Sequence, residues 1–354
     1  MTKEQITEGR PNQFKIFLTL TKRHLMVYFK NVPIVFFTLM VPLAILLVYA
    51  LFLRPMEVGQ IKDIIKQYGI ILDENNSADF DTLKKIYAIA DCWMMAGVLS
   101  VSCITVSLNT NYIMVKDKEN DANKDMLSSP ISSKTIMVSY FAFNIIITFL
   151  VIFIVYVICL LWLLGYNAYM ISTTDFFMII FILLLSIVSA SLMNFFIASF
   201  IKSDSVLSTV VAIFSAAIGF LIGAYLPNSM MPKSIRNVTA FFPGTYSTSL
   251  LRNYFMRRPL DKLAVDLGNM KFMQELSSMF GFEIDFFGIN VQKQTMSLVI
   301  LAFIGIFLIL NILFTSNNMF KGLVNNVKRI KNQPKKTLTN GLLSKKEEKV
   351  DENQ

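Results

Sequence analysis

Six stretches of this chain run for about twenty residues or more without a charge, each long enough to cross a hydrocarbon layer of about 30 Å as a helix that satisfies its own backbone amides. They are Val32 to Leu53, Trp93 to Val115, Ile136 to Leu164, Phe176 to Ile201, Val206 to Leu226 and Met296 to Phe314. The second is the least apolar, with Ser100, Ser102, Thr105, Ser107, Asn109, Thr110 and Asn111 among its residues. That pattern predicts a helix facing protein or a cavity rather than lipid. The third and fourth are joined by a short turn containing Gly165 and Asp175 and predict a hairpin. Only Lys202, Ser203, Asp204 and Ser205 separate the fourth from the fifth, which suits a helix cap and a tight reversal.

Ahead of the first span, Phe14, Phe17, Leu18, Thr21, Leu25 and Tyr28 recur at helical spacing, with Lys15, Lys22, Arg23 and Lys30 on much of the remaining surface. This predicts an amphipathic helix at the membrane surface; the alternative is a basic anchor without a mechanical role. Between the fifth and sixth spans, Pro232, Pro243 and Pro259 punctuate two short mixed segments, 233–242 and 245–256, each too short to cross. Two readings stay open there: a pair of re-entrant half-helices, or a helical hairpin lying on the outer surface. Residues 260–287 mix apolar and charged positions and read as an external subdomain. The chain thus divides into an N-terminal segment (1–31), a six-helix transmembrane domain (32–316) and a basic tail (317–354), expected to be disordered.

Composition agrees with the pattern. Of 354 residues 54% are hydrophobic and the mean hydropathy is +0.55, so the expected fold is an all-α integral membrane protein. The net charge is +9, but the bases flank apolar runs, which points to membrane orientation and not to nucleic acid. Twenty of the 33 Lys and Arg fall in residues 1–31, 116–134, 202 and 321 onward; eight of the other 13 lie in the 69-residue loop 227–295, beyond the length over which loop charge governs orientation. Both termini are therefore expected in the cytoplasm, in a multi-pass plasma-membrane protein. The apolar run after residue 31 is too long for a signal-peptide core and reads as a retained span. Cys92, Cys103 and Cys159 have no CxxC spacing, and His24 is the single histidine, so neither a disulfide framework nor a His/Cys metal site is expected.

The chain has no GxxxxGK[ST] phosphate loop and no Asp, Glu, Lys, Arg or His inside the six apolar runs. Gradient-driven carriers place such groups in their spans, so the energy is expected to come from another polypeptide. Paired carboxylates or a nucleophile with its base at a membrane boundary are also missing, which makes a membrane enzyme the weakest reading.

The chain resembles the permeases of the type-two ATP-binding-cassette (ABC) exporters, of the multidrug or antibiotic kind. Four stretches carry the resemblance: WMMAGVLSVS from Trp93, MVKDKENDANKDMLSSPISSKTIMVSYF from Met114, IKSDSVLSTVVAIFSAAIGFLIGAYLP from Ile201 and MPKSIRNVTAFFPGTYSTSLLRNYF from Met231. The resemblance implies a homodimer or heterodimer of permeases with ATPase subunits docked beneath, ATP and Mg being used by the ATPase and no cofactor by this chain. It implies a coupling helix after the second span, with Asp117, Glu119, Asp121 and Asp125 meeting basic ATPase groups and Met126, Leu127 and Ile131 filling a groove; a solvated loop is the alternative. It also implies a proline-bounded element after the fifth span, the candidate re-entrant piece, matched by Pro232 and by Pro243, Thr245 and Arg252.

Other features carry less. Gly219 and Gly223 form a GxxxG, suited to packing within the bundle or at a dimer seam. Asn109, Asn111, Asn144 and Asn194 would line a path or bond neighbouring helices. Arg252, Arg257 and Arg258 would attract an anionic lipid or polymer, or snorkel. The expected function is export of a lipophilic compound, drug or antibiotic, or cell-surface glycan; the alternative is an immunity or sensory factor transmitting force from an ATPase.

Overall fold

The computed structural model describes residues 12–315 apart from 71, 73–75, 77–78, 123–124, 127–130, 167, 227–230, 268–275, 278–279 and 287–288. Leu127 is among the positions outside the described residues. Helix α1 (Gln13–Lys30) begins at Asn12, whose side chain accepts from the Phe14 N–H. Its buried face is Leu20, Thr21, His24 and Tyr28, while Phe14, Leu18, Met26 and Phe29 remain exposed and Phe17 and Leu25 are half-buried. One side of α1 therefore packs on protein and a second apolar side is uncovered.

Among the described residues six helices are long and apolar enough to cross a membrane. The first comprises α2 (Val32–Val48), a π-helical turn (Tyr49–Leu53) and α3 (Arg54–Gln67). Pro55 has no N–H to give, and the Arg54 N–H reaches back five residues to the Tyr49 carbonyl. The second comprises α4 (Phe80–Thr110) and α5 (Tyr112–Glu119), divided at Asn111, whose side chain donates to the Ser107 carbonyl. The others are α6 (Ser133–Gly165), α7 (Thr173–Ser199), α8 (Asp204–Leu221) and α11 (Lys293–Leu310), the last ending in a π turn (Asn311–Thr315).

The apolar runs mark the membrane-crossing parts but not the helix ends. The first helical unit continues past Leu53 to Gln67, and the second starts at Phe80 rather than Trp93. Charge ended the apolar patterns there; the helices continue because Val58, Ile61 and Ile65 of α3 pack against α4. At 36 residues, the first unit is roughly 54 Å long and projects beyond the hydrocarbon layer.

The polar second span sits at the centre. Its whole apolar window is buried, and it packs on α2, α6, α7, α8 and the later helix α10 (Pro243–Leu267), whereas most of α2, α8 and α11 is uncovered. Its polar groups join helices. Asn144 donates to the Ser107 carbonyl, Asn194 to the Ile104 carbonyl and Asn109 to Thr38 Oγ1, while Ser102 and Thr110 donate to their own helix.

The element after the fifth span is a short helix, α9 (Lys233–Thr239), followed by α10 (Pro243–Leu267). Pro232 is the N-cap of α9 and Pro243 opens α10, where a missing N–H costs nothing. The sequence suggested a second piece ending at Met256; instead α10 continues through Pro259, and its first ten residues are all buried between α4, α7 and α11. Thr245 donates to the Thr239 carbonyl and the Tyr246 hydroxyl to that of Ala240, pinning α9 to α10. A hairpin of β1 (Ile284–Phe286) and β2 (Ile289–Val291) pairs antiparallel, Asp285 opposite Asn290.

The two glycines of the GxxxG close the C-terminus of α8. Gly223 has φ +69°, its N–H bonds the Phe220 carbonyl, and the Ala224 and Tyr225 N–H groups both reach the Gly219 carbonyl. The Tyr225 ring then lies where a Gly219 side chain would stand. Within the chain the pair forms the terminator of α8.

Candidate coupling site

Four successive residues of α5, Lys116 to Glu119, tie together the helix ends on the face of the bundle that carries α1. Asp117 is buried and accepts from Arg23 Nη1 at 2.7 Å, from Arg23 Nη2 at 3.1 Å and from the Tyr140 hydroxyl at 2.6 Å, so it links α1 and α6 to α5. The Arg23 guanidinium, hydrogen-bonded to Asp117, is held above its ordinary range. Lys118 Nζ donates to the carbonyls of Ala198 and Ser199, both at 3.1 Å, and Ile201 at 3.5 Å. These carbonyls lie at or just past the end of α7, where a cation meets the negative end of the helix dipole. Lys116 lies 3.8 Å from Asp204, and Glu119 accepts from the Asp204 N–H at the start of α8.

His24 completes the α1–α6 seam. Its ring stacks on Tyr140 at 4.1 Å, Arg23 Nη1 approaches Nδ1 at 3.3 Å and Nε2 lies 3.2 Å from Ser139 Oγ. This suits a neutral imidazole with its proton on Nε2, and burial, reinforced by Arg23, pushes its pKa down to about 4. At the far end of the same seam, Thr135 donates to Gln13 Oε1.

The candidate coupling residues fall into two groups. Asp117 and Glu119 bond within the chain, Asp117 fully inside it. Asp121 and Asp125 are exposed, Asp121 with φ +59°, and Met126 and Ile131 are partly buried against the core. Sequence reasoning passed over Arg23, Lys118 and Tyr140 as site residues. Arg23 and Lys118 were visible only as members of charge clusters, and Tyr140 lay unmarked within an apolar run.

At the opposite face Arg252 is buried rather than offered to lipid. Its Nη2 donates to the carbonyls of Gly223 at 2.8 Å and Ala224 at 3.0 Å, and its guanidinium lies 4.5 Å from the centre of the Trp93 ring. Arg257 lies 3.9 Å from Asp175 and Arg258 donates to Ser172. Among the described residues no group of three or more His, Cys, Asp or Glu is placed to hold a metal ion.

A multi-helix membrane subunit emerges, in which polar side chains join helix ends and one short segment reaches four of them. The ABC-2 type transporter family profile matches residues 15–256, from α1 into α10. The chain belongs to that family: it is a multi-pass membrane permease of an ABC transporter and the partner of an ABC ATPase subunit. No curated protein matches the chain.

Proposed function

We propose that this permease is one half of an exporter in the plasma membrane, both termini in the cytoplasm, moving a lipophilic compound, drug or antibiotic, or cell-surface glycan outward. A separate ATPase, using ATP and Mg, supplies the work by pressing on residues 120–134, with Asp121, Asp125, Met126, Leu127 and Ile131 as the contact. The observation that carries this reading is the Lys116–Glu119 hub. Displacement of the segment that follows it is passed to α1, α6, α7 and α8 together, because within one helical turn Asp117 holds α1 and α6, Lys118 holds the end of α7, and Lys116 and Glu119 hold the start of α8. A second permease, identical or related, would pack on the uncovered face of α8. There Ser208, Ala212 and Ala216 leave room for close approach beside exposed Ile213 and Phe220.

Vesicles holding the chain and its ATPase test the proposal. Lys118→Ala should leave the ATPase bound and basal hydrolysis intact while lowering ATP-dependent cargo movement about tenfold, the scale of one lost charged hydrogen-bond set. Unchanged transport in this variant would remove the hub from the mechanism. Cargo-stimulated hydrolysis without cargo movement in the natural chain would replace export with force transmission.

A further inference from the structure

On the face opposite α1, between the α3–α4 hairpin and the α6–α7 connection, lies an open cleft of about 460 Å³. Its lining includes Arg54, Phe80, Leu83, Lys84, Tyr87 and Tyr166, two bases and three aromatic rings, with no acid among the described lining residues. Asp91 lies buried next to Arg54, whose Nε reaches Oδ1 at 2.8 Å and whose Nη2 reaches Oδ2 at 3.0 Å. The Tyr49 hydroxyl, 3.3 Å from Oδ1, closes the carboxylate off. Arg54 is thereby fixed in place, its guanidinium 4.4 Å from the Tyr166 ring centre and 5.0 Å from that of Tyr87, with Nη1 left over from the Asp91 pairing. Lys84 forms no ion pair among the described residues; the neighbouring Asp81 pairs with Lys85. Lys62 adds a further positive charge at 5.7 Å from the Tyr87 ring centre.

The position of the cleft narrows its occupant. Leu51 and Phe52, 61% and 70% exposed, immediately precede Arg54, and exposed Leu161 and Leu164 precede Tyr166. Lipid-facing surface therefore leads up to the cleft from both flanks. Trp162, Tyr166 and Tyr169 give the aromatic grouping typical of the headgroup level. A site of this charge, at this depth, bordered by apolar surface, matches a phosphate tethered to acyl chains.

We propose that this cleft binds the phosphate of an anionic membrane lipid. The phosphate accepts from Lys84 Nζ and the Arg54 guanidinium, the polar head lies against Phe80 and Tyr166, and the chains follow the apolar flank of the first or third span. The inference is independent of what the permease moves.

The test uses the purified, delipidated full chain in detergent, with bound lipid counted by native mass spectrometry. Phosphatidylglycerol, phosphatidylcholine and free glycerol phosphate are offered separately and in competition. The natural chain should retain one phosphatidylglycerol in preference to phosphatidylcholine. Lys84→Gln should weaken retention about fivefold, the scale of one base at a lipid surface, while Lys84→Arg keeps it. Tyr166→Ala should weaken it as well, with thermal midpoints checking that each variant stays folded. Retention by K84Q and Y166A equal to that of the natural chain, equal retention of the two lipids, or loss in K84R as complete as in K84Q would overturn the proposal. Displacement by glycerol phosphate at the concentration of the lipid would also overturn it, making the site one for a soluble anion.

Discussion

Asp91, Asp117, Asp175 and Arg252 are enclosed in this bundle with specific geometric partners, and the consequences can be measured one residue at a time. Arg252 supplies a fork to carbonyls that α8 cannot satisfy itself, so Arg252→Gln should cost about 3 kcal/mol, read as a lower thermal midpoint in detergent. His24 gives a pH signature. Because its pKa is lower in the folded chain than in the unfolded one, its share of stability is complete above about 6.5 and fades as pH falls toward about 4. Between pH 7 and 5 the natural chain should lose about 2 kcal/mol more than His24→Phe, which keeps the stacking on Tyr140. At this scale the sequence was least legible. Asp117 was marked as a charge in a loop, and nothing local announces that Arg23, 94 positions away, already holds it.

Individual elements were legible where an apolar period continued and obscure where charge interrupted it. The second span was expected to face protein because of its Ser, Thr and Asn residues, and it lies at the centre of the bundle. The extensions through Gln67 and back to Phe80 were invisible, because a helix exposed on one side tolerates charges that end a hydropathy run. The GxxxG illustrates the same limit: spacing alone does not separate a seam between helices from a helix terminus followed by a returning tyrosine. Gly219→Ala should destabilise the chain by about 1 to 3 kcal/mol through collision with Tyr225, and adding Tyr225→Ala should recover part of that loss. If the double variant melts no higher than the single one, Tyr225 is not the obstacle.

For the molecule as a whole, family membership was legible because four stretches kept their order and spacing, and all four lie inside residues 15–256. The assembly has a direct check. All three native cysteines are buried, so a cysteine at Ile213 reports on its own. In membranes it should form a disulfide-linked pair if α8 faces a second copy, while failure to cross-link despite labelling would move a homodimer seam elsewhere. Cysteines placed singly at exposed Lys22 and Lys262 should be labelled from opposite sides of the membrane, and labelling from one side would overturn the orientation.

The Lys116–Glu119 hub makes this protein sensitive to register. Successive residues of an α-helix point about 100° apart, so the identity of each contact is set by angular position as much as by side-chain type. One alanine inserted between Val115 and Lys116 removes no bonding group, yet it turns Asp117 away from Arg23 and Lys118 away from the end of α7. An insertion of seven nearly restores the angle but moves the segment about 10 Å along the axis. The hub thus tolerates neither kind of slip, and insertions or deletions should be far more damaging here than point changes, in contrast to the usual behaviour of a charged segment between two spans.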